Sequence, residues 1–543
     1  MDPSYEQERG KTRKRFIIIG LSSIILVAAI VGTMVGVTQS KNNKSNNNED
    51  SKVSSSIKAL CGATLYPDSC YNSLTPMVKS GNLKPQDLYK LSVQVAIGEL
   101  SCASKKFLDD GVKEMNITDK RTLAAISSCQ ELFSLALDHL NSSLSIPNKK
   151  LLDSFDDLRT WLSSAGTYQQ TCIDELESAS PGLSSTNFQN STEYTSNSLS
   201  MITRMEESQN VGESPEWLSF NDRKLLQTPS STIKADAVVA KDGSGKYTTI
   251  SDALKAVPEK SDKRFVIYVK KGVYVENVRI EKTMWNVMII GDGKNMTIVS
   301  GSLNNVDGTP TFQSATFAVF GQGFVARDIG FVNTAGPAKH QAVAMMSTAD
   351  LSVFYRCTFD AYQDTLYVNS NRQFYRECDI YGTVDFIFGN SAVVIQNCNI
   401  LPRKPMQGQQ NTITAQGKFD PNQNTGISIQ NCTIWPAENL TGVNNFLGRP
   451  WKNYSTTILF QNVMDKFIDP KGWLPWVGTS APNTIFYAEF KNVGPGAATI
   501  NRVKWRGLKL NLVDAQVRKF TVGPFIQGDK WLPKANVTYK LGL

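Results

Sequence analysis

The hydrophobic and polar positions of this chain follow two different periods, and the change between them divides the sequence. In residues 57–205 apolar side chains recur at helical spacing, for example at Ile126, Phe133 and Leu137. This pattern predicts amphipathic helices packed as a bundle. From Ile233 onward, short β-branched and aromatic runs alternate with Gly, Asn and Asp, which predicts short strands.

The strand region also repeats at an interval near twenty residues. Cysteines stand at 357, 378 and 398, Gln341 and Gln363 are 22 residues apart, and Asp364 and Asp385 are 21 apart. Such a period predicts a parallel β-solenoid, in which each coil stacks on the one before. Residues one period apart then become neighbours, at a strand spacing of roughly 4.8 Å.

This spacing makes Asp364 and Asp385 candidates for catalysis. Two close carboxylates cannot both ionise easily, so one serves as a base or nucleophile and the other as an acid. A lone Asp in a solenoid is usually a turn residue, but two of them with two amides at one-coil spacing favour a catalytic arrangement. Arg449 can hold one carboxylate ionised, and Trp451 offers a flat face for a sugar ring.

The sequence lacks the residues that other hydrolytic mechanisms require. The chain has only two histidines, no Gly-x-Ser-x-Gly elbow and no His-Glu-x-x-His, which argues against a serine or zinc hydrolase. The glycine-rich segment 241–246 is interpreted as a turn and not as a phosphate loop. We therefore predict no metal and no cofactor.

The N-terminus predicts entry into the secretory pathway. Basic residues precede an uncharged apolar run at 16–37, long enough to cross a bilayer, and a polar stalk follows to residue 56. We interpret the run as a signal anchor in preference to a long signal peptide. Nine Asn-x-Ser/Thr sequons fit this route.

Residues 206–228 break both patterns and predict a processing linker between two folded units, 57–205 and 229–543. The linker holds Arg223-Lys224-Leu225-Leu226, a basic pair accessible to a processing protease. Residues 227–543 carry 34 Lys and Arg against 23 Asp and Glu, an excess that favours a polyanionic partner. Nothing in the sequence indicates nucleic acid as that partner.

Five ordered segments make the β part resemble the plant pectin methylesterases: GVYVE at 272, HQAVA at 340, QDTL at 363, DFIFG at 385 and LGRPW at 447. The helical part is similar to the invertase and pectin methylesterase inhibitor family. The resemblance implies an all-β right-handed parallel β-helix after an all-α four-helix-bundle pro-domain. It also implies hydrolysis of methyl esters of homogalacturonan in the cell wall, with separate inhibitor proteins as partners and a pro-region that inhibits or assists folding until cleaved.

The same resemblance assigns roles to individual residues. Asp385 would be the nucleophile, Asp364 the proton donor and later the base, and Gln341 and Gln363 the oxyanion donors, while Arg449 orients Asp385. The implied substrate contacts are Thr311, Gln341, Tyr367, Arg449, Trp451 and Trp473. Spacing alone does not rank the two aspartates.

The resemblance pairs Cys61 with Cys70 and Cys129 with Cys172, and leaves Cys102 unassigned. Cys398 could pair with Cys378 or with Cys432. Two other functions compete: a pectin-cleaving hydrolase or lyase, which would release reducing or unsaturated ends, and a non-catalytic inhibitor or wall-binding protein. The intact set of Asp364, Asp385, Gln341 and Arg449 argues against a dead enzyme.

Overall fold

The structure is a computed structural model that describes residues 57–78, 84–107, 118–181, 188–209 and 234–543. The predicted signal anchor, the stalk and the Arg223–Leu226 segment lie outside these residues. Within the described ranges, no helix has the length and apolar character needed to cross a membrane.

Among the described residues, the helical domain includes the helices α1 Pro67–Leu74, α2 Pro85–Lys106, α3 Lys120–Ser145, α4 Phe155–Ala179 and α5 Gln189–Gln209. Asp119 caps α3, because its carboxylate accepts a 2.8 Å hydrogen bond from the Thr122 N–H. Helices α3 and α5 each pack against both α2 and α4, so the predicted four-helix bundle is confirmed. Short 3₁₀ turns occur at Thr75–Met77, Asn148–Lys150 and Leu152–Ser154.

Both disulfides implied for this domain are present. Cys61 is bonded to Cys70, and Cys129 is bonded to Cys172, which ties α3 to α4. Cys102 is an exposed thiol.

The strands of residues 234–543 form a parallel β-helix with three faces, as predicted. Sheet A comprises β1 Ala237–Val239, β2 Phe265–Val269, β5 Val287–Gly291, β8 Val325–Arg327, β11 Ser352–Tyr355, β14 Arg372–Arg376, β17 Ala392–Gln396, β20 Gly426–Gln430, β23 Thr456–Phe460, β25 Phe486–Phe490 and β26 Leu508–Lys509. Sheet B comprises β3 Gly272–Val275, β6 Thr297–Gly301, β9 Gly330–Asn333, β12 Thr358–Asp360, β15 Asp379–Gly382, β18 Asn399–Pro402, β21 Thr433–Ile434 and β24 Val463–Met464. Sheet C comprises β4 Val278–Ile280, β7 Phe317–Val319, β10 Met345–Ser347, β13 Leu366–Val368, β16 Ile387–Gly389, β19 Asn411–Gln416 and β22 Asn445–Gly448.

The interior of the β-helix is a continuous column of apolar side chains. Phe354 stacks on Tyr375 with ring centroids 4.6 Å apart, which is the contact expected between equivalent positions of successive coils. Four cysteines form a similar column at 357, 378, 398 and 432, and each of the first three donates its backbone N–H to the sulfur of the next. All four are buried thiols, so neither pairing considered for Cys398 is formed.

Small elements complete the β domain. Helix α6 Ile250–Leu254 packs against β1 and β4, and α7 Asp514–Arg518, α8 Val522–Ile526 and α9 Gly528–Ala535 follow the last strand. Val522, Ile526 and Leu532 pack on the outer side of sheet A. Further 3₁₀ turns occur at Thr311–Gln313, Pro337–Lys339 and Pro495–Ala497.

The helical domain lies against sheet C. Apolar residues of the bundle and of the outer side of this sheet, among them Val343, Met346, Tyr367 and Phe388, form one continuous buried cluster. The two domains therefore share a hydrophobic core in addition to polar contacts.

Candidate active site

The two predicted catalytic aspartates stand at equivalent positions of adjacent coils. Leu366 of β13 is in register with Ile387 of β16, and Asp364 and Asp385 each precede these residues by two positions. The Asp364 N–H donates a 3.1 Å hydrogen bond to the carbonyl of Val384, across the same step. Both carboxyl groups are almost entirely buried, with 7% and 5% of the residue exposed.

Arg449 and Thr412 fix the carboxylate of Asp385. The guanidinium donates from Nε to Oδ1 at 2.8 Å and from Nη2 to Oδ2 at 2.6 Å, a bidentate ion pair. Thr412, in the next coil, donates its hydroxyl to Oδ1 at 2.6 Å and accepts the Asp385 backbone N–H at 2.9 Å. Asp385 therefore has a fixed orientation and a compensating positive charge.

Asp364 lies in a different electrostatic environment. Burial raises its pKa well above the ordinary value, and the negative charges of Asp385 and Glu175 raise it further, while Arg449 opposes them. An acid with a raised pKa beside an ion-paired carboxylate is the division of roles expected of a proton donor and a nucleophile.

Both aspartates have left-handed backbone conformations, with φ of +62° at Asp364 and +52° at Asp385. Asp tolerates this region better than most residues but still at a cost. The conformation ends the turn and places each side chain directly before a strand of sheet C. The same conformation recurs at turns of other coils, for example at Arg356, Glu377 and Asn397, so it belongs to the stack and does not by itself mark the site.

The remaining predicted polar residues lie in turns that precede strands of sheet C, in the coil of Asp364 and in earlier coils. Gln341 precedes β10 by four residues and Gln363 precedes β13 by three, and the Ala342 N–H donates to the Gln363 carbonyl at 3.3 Å. Both glutamines are partly exposed beside the catalytic coil. Thr311 begins a 3₁₀ turn in a preceding coil and is also partly exposed.

Of the predicted aromatic contacts, Trp451 and Tyr367 lie at the site. Trp451 packs over Gly417, where an added Cβ would come within 2.9 Å of its ring, and Tyr367 stacks on Phe388 at 4.2 Å. Tyr367 belongs to the cluster shared with the helical domain and is 3% exposed.

The prediction that Trp473 stacks on the polysaccharide is wrong. Its side chain is fully buried inside the β-helix, packs on Tyr487 and donates its Nε1–H to Glu489 at 3.0 Å. Trp476 lies near the site in place of Trp473. Its ring covers the Arg449 guanidinium at 4.3 Å, and its centroid lies 6.4 Å from that of Trp451.

Helix α4 of the helical domain crosses the cleft formed by the coils that carry Phe312, Asp364, Asp385 and Lys452. Its Glu175 carboxylate accepts the Phe312 N–H at 3.1 Å, and its Asp174 forms a 2.6 Å ion pair with Lys452, the neighbour of Trp451. These two contacts, one to a coil before the two aspartates and one to a coil after them, hold the helix on this part of the β-helix.

Three of these residues were not predicted from the sequence. Thr412 lies in β19, 27 residues after Asp385. This coil is longer than the interval of about twenty residues, so the repeat does not predict that the two residues are neighbours. Trp476 lies in an irregular segment after β22, where the repeat gives no position. Glu175 belongs to another domain, and helical periodicity does not reveal what its exposed faces dock against.

Comparisons with known proteins agree with this arrangement. The family model described as Pectinesterase matches residues 236–529, and the one described as Plant invertase/pectin methylesterase inhibitor matches residues 55–201. The chain belongs to the pectinesterase family.

Relatives share both parts. The Arabidopsis thaliana "Probable pectinesterase/pectinesterase inhibitor 46" is 54% identical, with 97% of this chain and 96% of that protein covered. "Pectinesterase 3" of Phaseolus vulgaris is 49% identical over 97% and 95% of the two chains. The solved pectin methylesterase from carrot aligns over its whole length and 58% of this chain, with 52% identity and a TM-score of 0.57. The predicted enzyme class, an ester hydrolase of pectin, is confirmed for this family member, as is the inhibitor-like character of the helical domain.

Proposed function

We propose that Asp385 attacks the carbonyl carbon of a galacturonosyl methyl ester and that Asp364 protonates the departing methanol. Asp364, now ionised, then takes a proton from the water that hydrolyses the acyl-enzyme. The observation that carries this division is the bidentate Arg449 ion pair on Asp385 beside an Asp364 with a raised pKa.

The other residues act on the same transition state in this proposal. Gln341 and Gln363 donate to the oxyanion, which in other hydrolases contributes on the order of 3 kcal/mol per donor. Thr311, Tyr367 and Trp451 contact the sugar chain. The substrate is homogalacturonan, a polyanion that suits the basic character of the β domain.

Replacement of Asp385 by Asn tests the nucleophile. Asn keeps the shape but is a poor nucleophile, so we expect methanol release from methylated pectin to fall by a factor of about 1,000 or more. Asp379→Asn is the control, because Asp379 lies on sheet B and pairs with Lys294. Near-normal methanol release by Asp385→Asn would contradict the assignment, and release of reducing or unsaturated ends by the native chain would favour a chain-cleaving enzyme.

A second function belongs to the helical domain: inhibition of the same chain until it is removed. The observation that favours it is the position of α4, whose Asp174 and Glu175 bond to residues on both sides of the catalytic pair. Substrate and α4 then compete for one cleft. Cutting the linker at Arg223–Leu226 and separating the domains should raise methanol release, and an uncut chain as active as the separated β domain would exclude inhibition.

Processing at this segment by a protease, anchoring through residues 16–37, delivery to the cell wall and binding by separate inhibitor proteins are part of the same proposal. They rest on the sequence features of the N-terminus and linker and on the inhibitor-like character of the helical domain.

A further inference from the structure

Glu175 is the one acidic side chain of α4 that is buried against the catalytic coil. It is 8% exposed, while its neighbour Glu177 points to solvent. Its carboxylate accepts the backbone N–H of Phe312, in the turn that begins at Thr311. Buried carboxylates are costly, so a buried Glu at a domain interface requires a specific partner or a proton.

Few positive charges compensate Glu175. Burial raises its pKa to about 7, with a further increase from the negative charge of Asp174. The hydrogen bond from the Phe312 N–H and the positive charge of Arg121 in α3 lower the pKa and only partly offset burial. On the β-helix side it faces Asp364 and Tyr367, and its negative charge raises the pKa of both. The Lys452 cation is already paired with Asp174, and the Arg449 cation with Asp385.

The Phe312 N–H is therefore a hydrogen-bond donor beside the catalytic acid that loses its partner when α4 leaves. A uronate chain carries one carboxyl or methyl ester group on every unit, and its carbonyl oxygens are acceptors of the same type as that of Glu175. We propose that Glu175 is an internal ligand of the cleft, which occupies the place of a substrate carboxyl group on the Phe312 amide. This inference rests on the proposed inhibition by the helical domain.

The direction of the pH dependence follows from the burial of Glu175. An undocked Glu175 titrates at its ordinary value of 4.5 and the docked one at about 7, so docking takes up a proton between these values. The contribution to docking is complete below pH 4.5, decreases as the pH rises, and is lost above about 7. Raised pKa values at Asp364 and Asp174 act in the same direction. His139, buried at the interface with a lowered pKa, acts in the opposite direction in acid, since docking requires its neutral form.

Three variants of the full chain test the proposal: Glu175→Gln, Glu175→Ala and, as a matched control on the same helix, Glu177→Gln. Hydrogen exchange of the Phe312 amide, expressed as a protection factor, reports docking without reference to activity. Methanol release, expressed as the ratio of the separated β domain to the uncut chain, reports inhibition. Both are measured from pH 4.5 to 8.

In the native chain, and in Glu177→Gln, we expect protection and inhibition to decrease by on the order of 100-fold over this range, the limit set by the two pKa values. Glu175→Gln resembles the protonated acid, so its inhibition should stay strong, and its pH dependence should be smaller than that of Glu177→Gln by the roughly 100-fold that Glu175 contributes. In Glu175→Ala, the protection factor of the Phe312 amide and the inhibition should each fall by at least about 10-fold at pH 4.5. Unesterified trigalacturonate should then bind to the cleft of this variant.

Native-like inhibition and Phe312 protection in Glu175→Ala would overturn the inference while leaving inhibition by the domain intact. A pH dependence in Glu175→Gln as large as that in Glu177→Gln would overturn the assignment of this dependence to Glu175. If the native uncut chain is as active as the separated β domain at every pH, the proposed inhibition itself fails, and this result differs from the other two.

Discussion

Asp385 receives its orientation from residues of two later coils, and Thr412 is the more informative of them. Arg449 supplies charge, while Thr412 supplies direction, because one hydroxyl bonds both the backbone and the carboxylate of the same residue. The backbone bond holds the Thr412 hydroxyl in place, so rotation of the Asp385 side chain would break the hydroxyl–carboxylate bond. Orientation of this kind affects the transition state more than binding.

We therefore expect Thr412→Val, which keeps the shape and removes the hydroxyl, to lower kcat by about 10- to 100-fold with little change in KM. Thr412→Ser should recover most of the rate, because it restores the hydrogen bonds. Steady-state methanol release from methylated pectin measures both constants. Equal losses in the Val and Ser variants would show that packing of the methyl group matters and the hydroxyl does not.

Trp473 belongs to a buried polar group and not to the cleft. Glu489 accepts both its indole N–H and the Nε and Nη2 groups of Arg502, all of them within the β-helix. Loss of one donor to a buried carboxylate costs about 1–3 kcal/mol.

Trp473→Phe should accordingly lower the free energy of unfolding by about 1–3 kcal/mol and leave KM for methylated pectin unchanged. Denaturant titration and steady-state kinetics on the same preparation separate the two effects. Trp451→Ala provides the contrast, since its ring lies at the site and its loss should raise KM. A rise in KM for Trp473→Phe would restore the original prediction.

The strands of sheet C are short, and glycine at their ends sets how closely coils approach. Gly389 ends β16 with φ of +128°, and a Cβ there would lie 2.1 Å from the Val368 carbonyl oxygen in the neighbouring coil. The residue thus fixes the stacking of the coil that also carries Asp385.

Gly389→Ala should destabilise the protein by more than about 2 kcal/mol, because neither the conformation nor the space suits a side chain. Gly98→Ala in α2 is the opposite case: it has nothing within 4 Å and an ordinary φ, so a gain of about 0.5–1 kcal/mol is expected. Thermal unfolding of both variants measures the difference. A neutral Gly389→Ala would mean that adjacent coils can separate without loss.

The sequence predicted elements where a repeat or a period existed. A 21-residue interval was enough to place Asp364 beside Asp385, because the stack converts sequence separation into register. It could not place Trp473 or Trp476, since both follow β22 in a segment where coils become irregular. The sequence does not show which tryptophan is buried and which is exposed, and this difference decides which of them lies near the site.

At the scale of the whole molecule, the docking of the two domains could not be predicted from either part alone. Helical periodicity reports which side of a helix is apolar, but the bundle uses apolar surface both for its own core and for sheet C. The polar part of the interface has no sequence signature either. Its centre is Asn371, a turn residue whose side chain bonds Ser164, His139, Tyr168 and the Thr348 carbonyl.

This interface leads us to expect that cutting the linker is not sufficient to free the β domain. The shared apolar cluster and the buried hydrogen bonds of the Asn371 side chain persist after the peptide bond is cut. The two pieces should therefore co-elute on gel filtration at pH 5. Asn371→Ala removes the side-chain hydrogen bonds to Ser164, His139, Tyr168 and the Thr348 carbonyl and should weaken the cut complex by about 1–3 kcal/mol, or 5- to 150-fold in Kd. Lys530→Ala is the matched control, because its ion pair with Asp156 is exposed and should contribute less than a 3-fold change. Pieces that separate immediately in the native protein would show that the linker, and not the interface, keeps the helical domain over the catalytic pair.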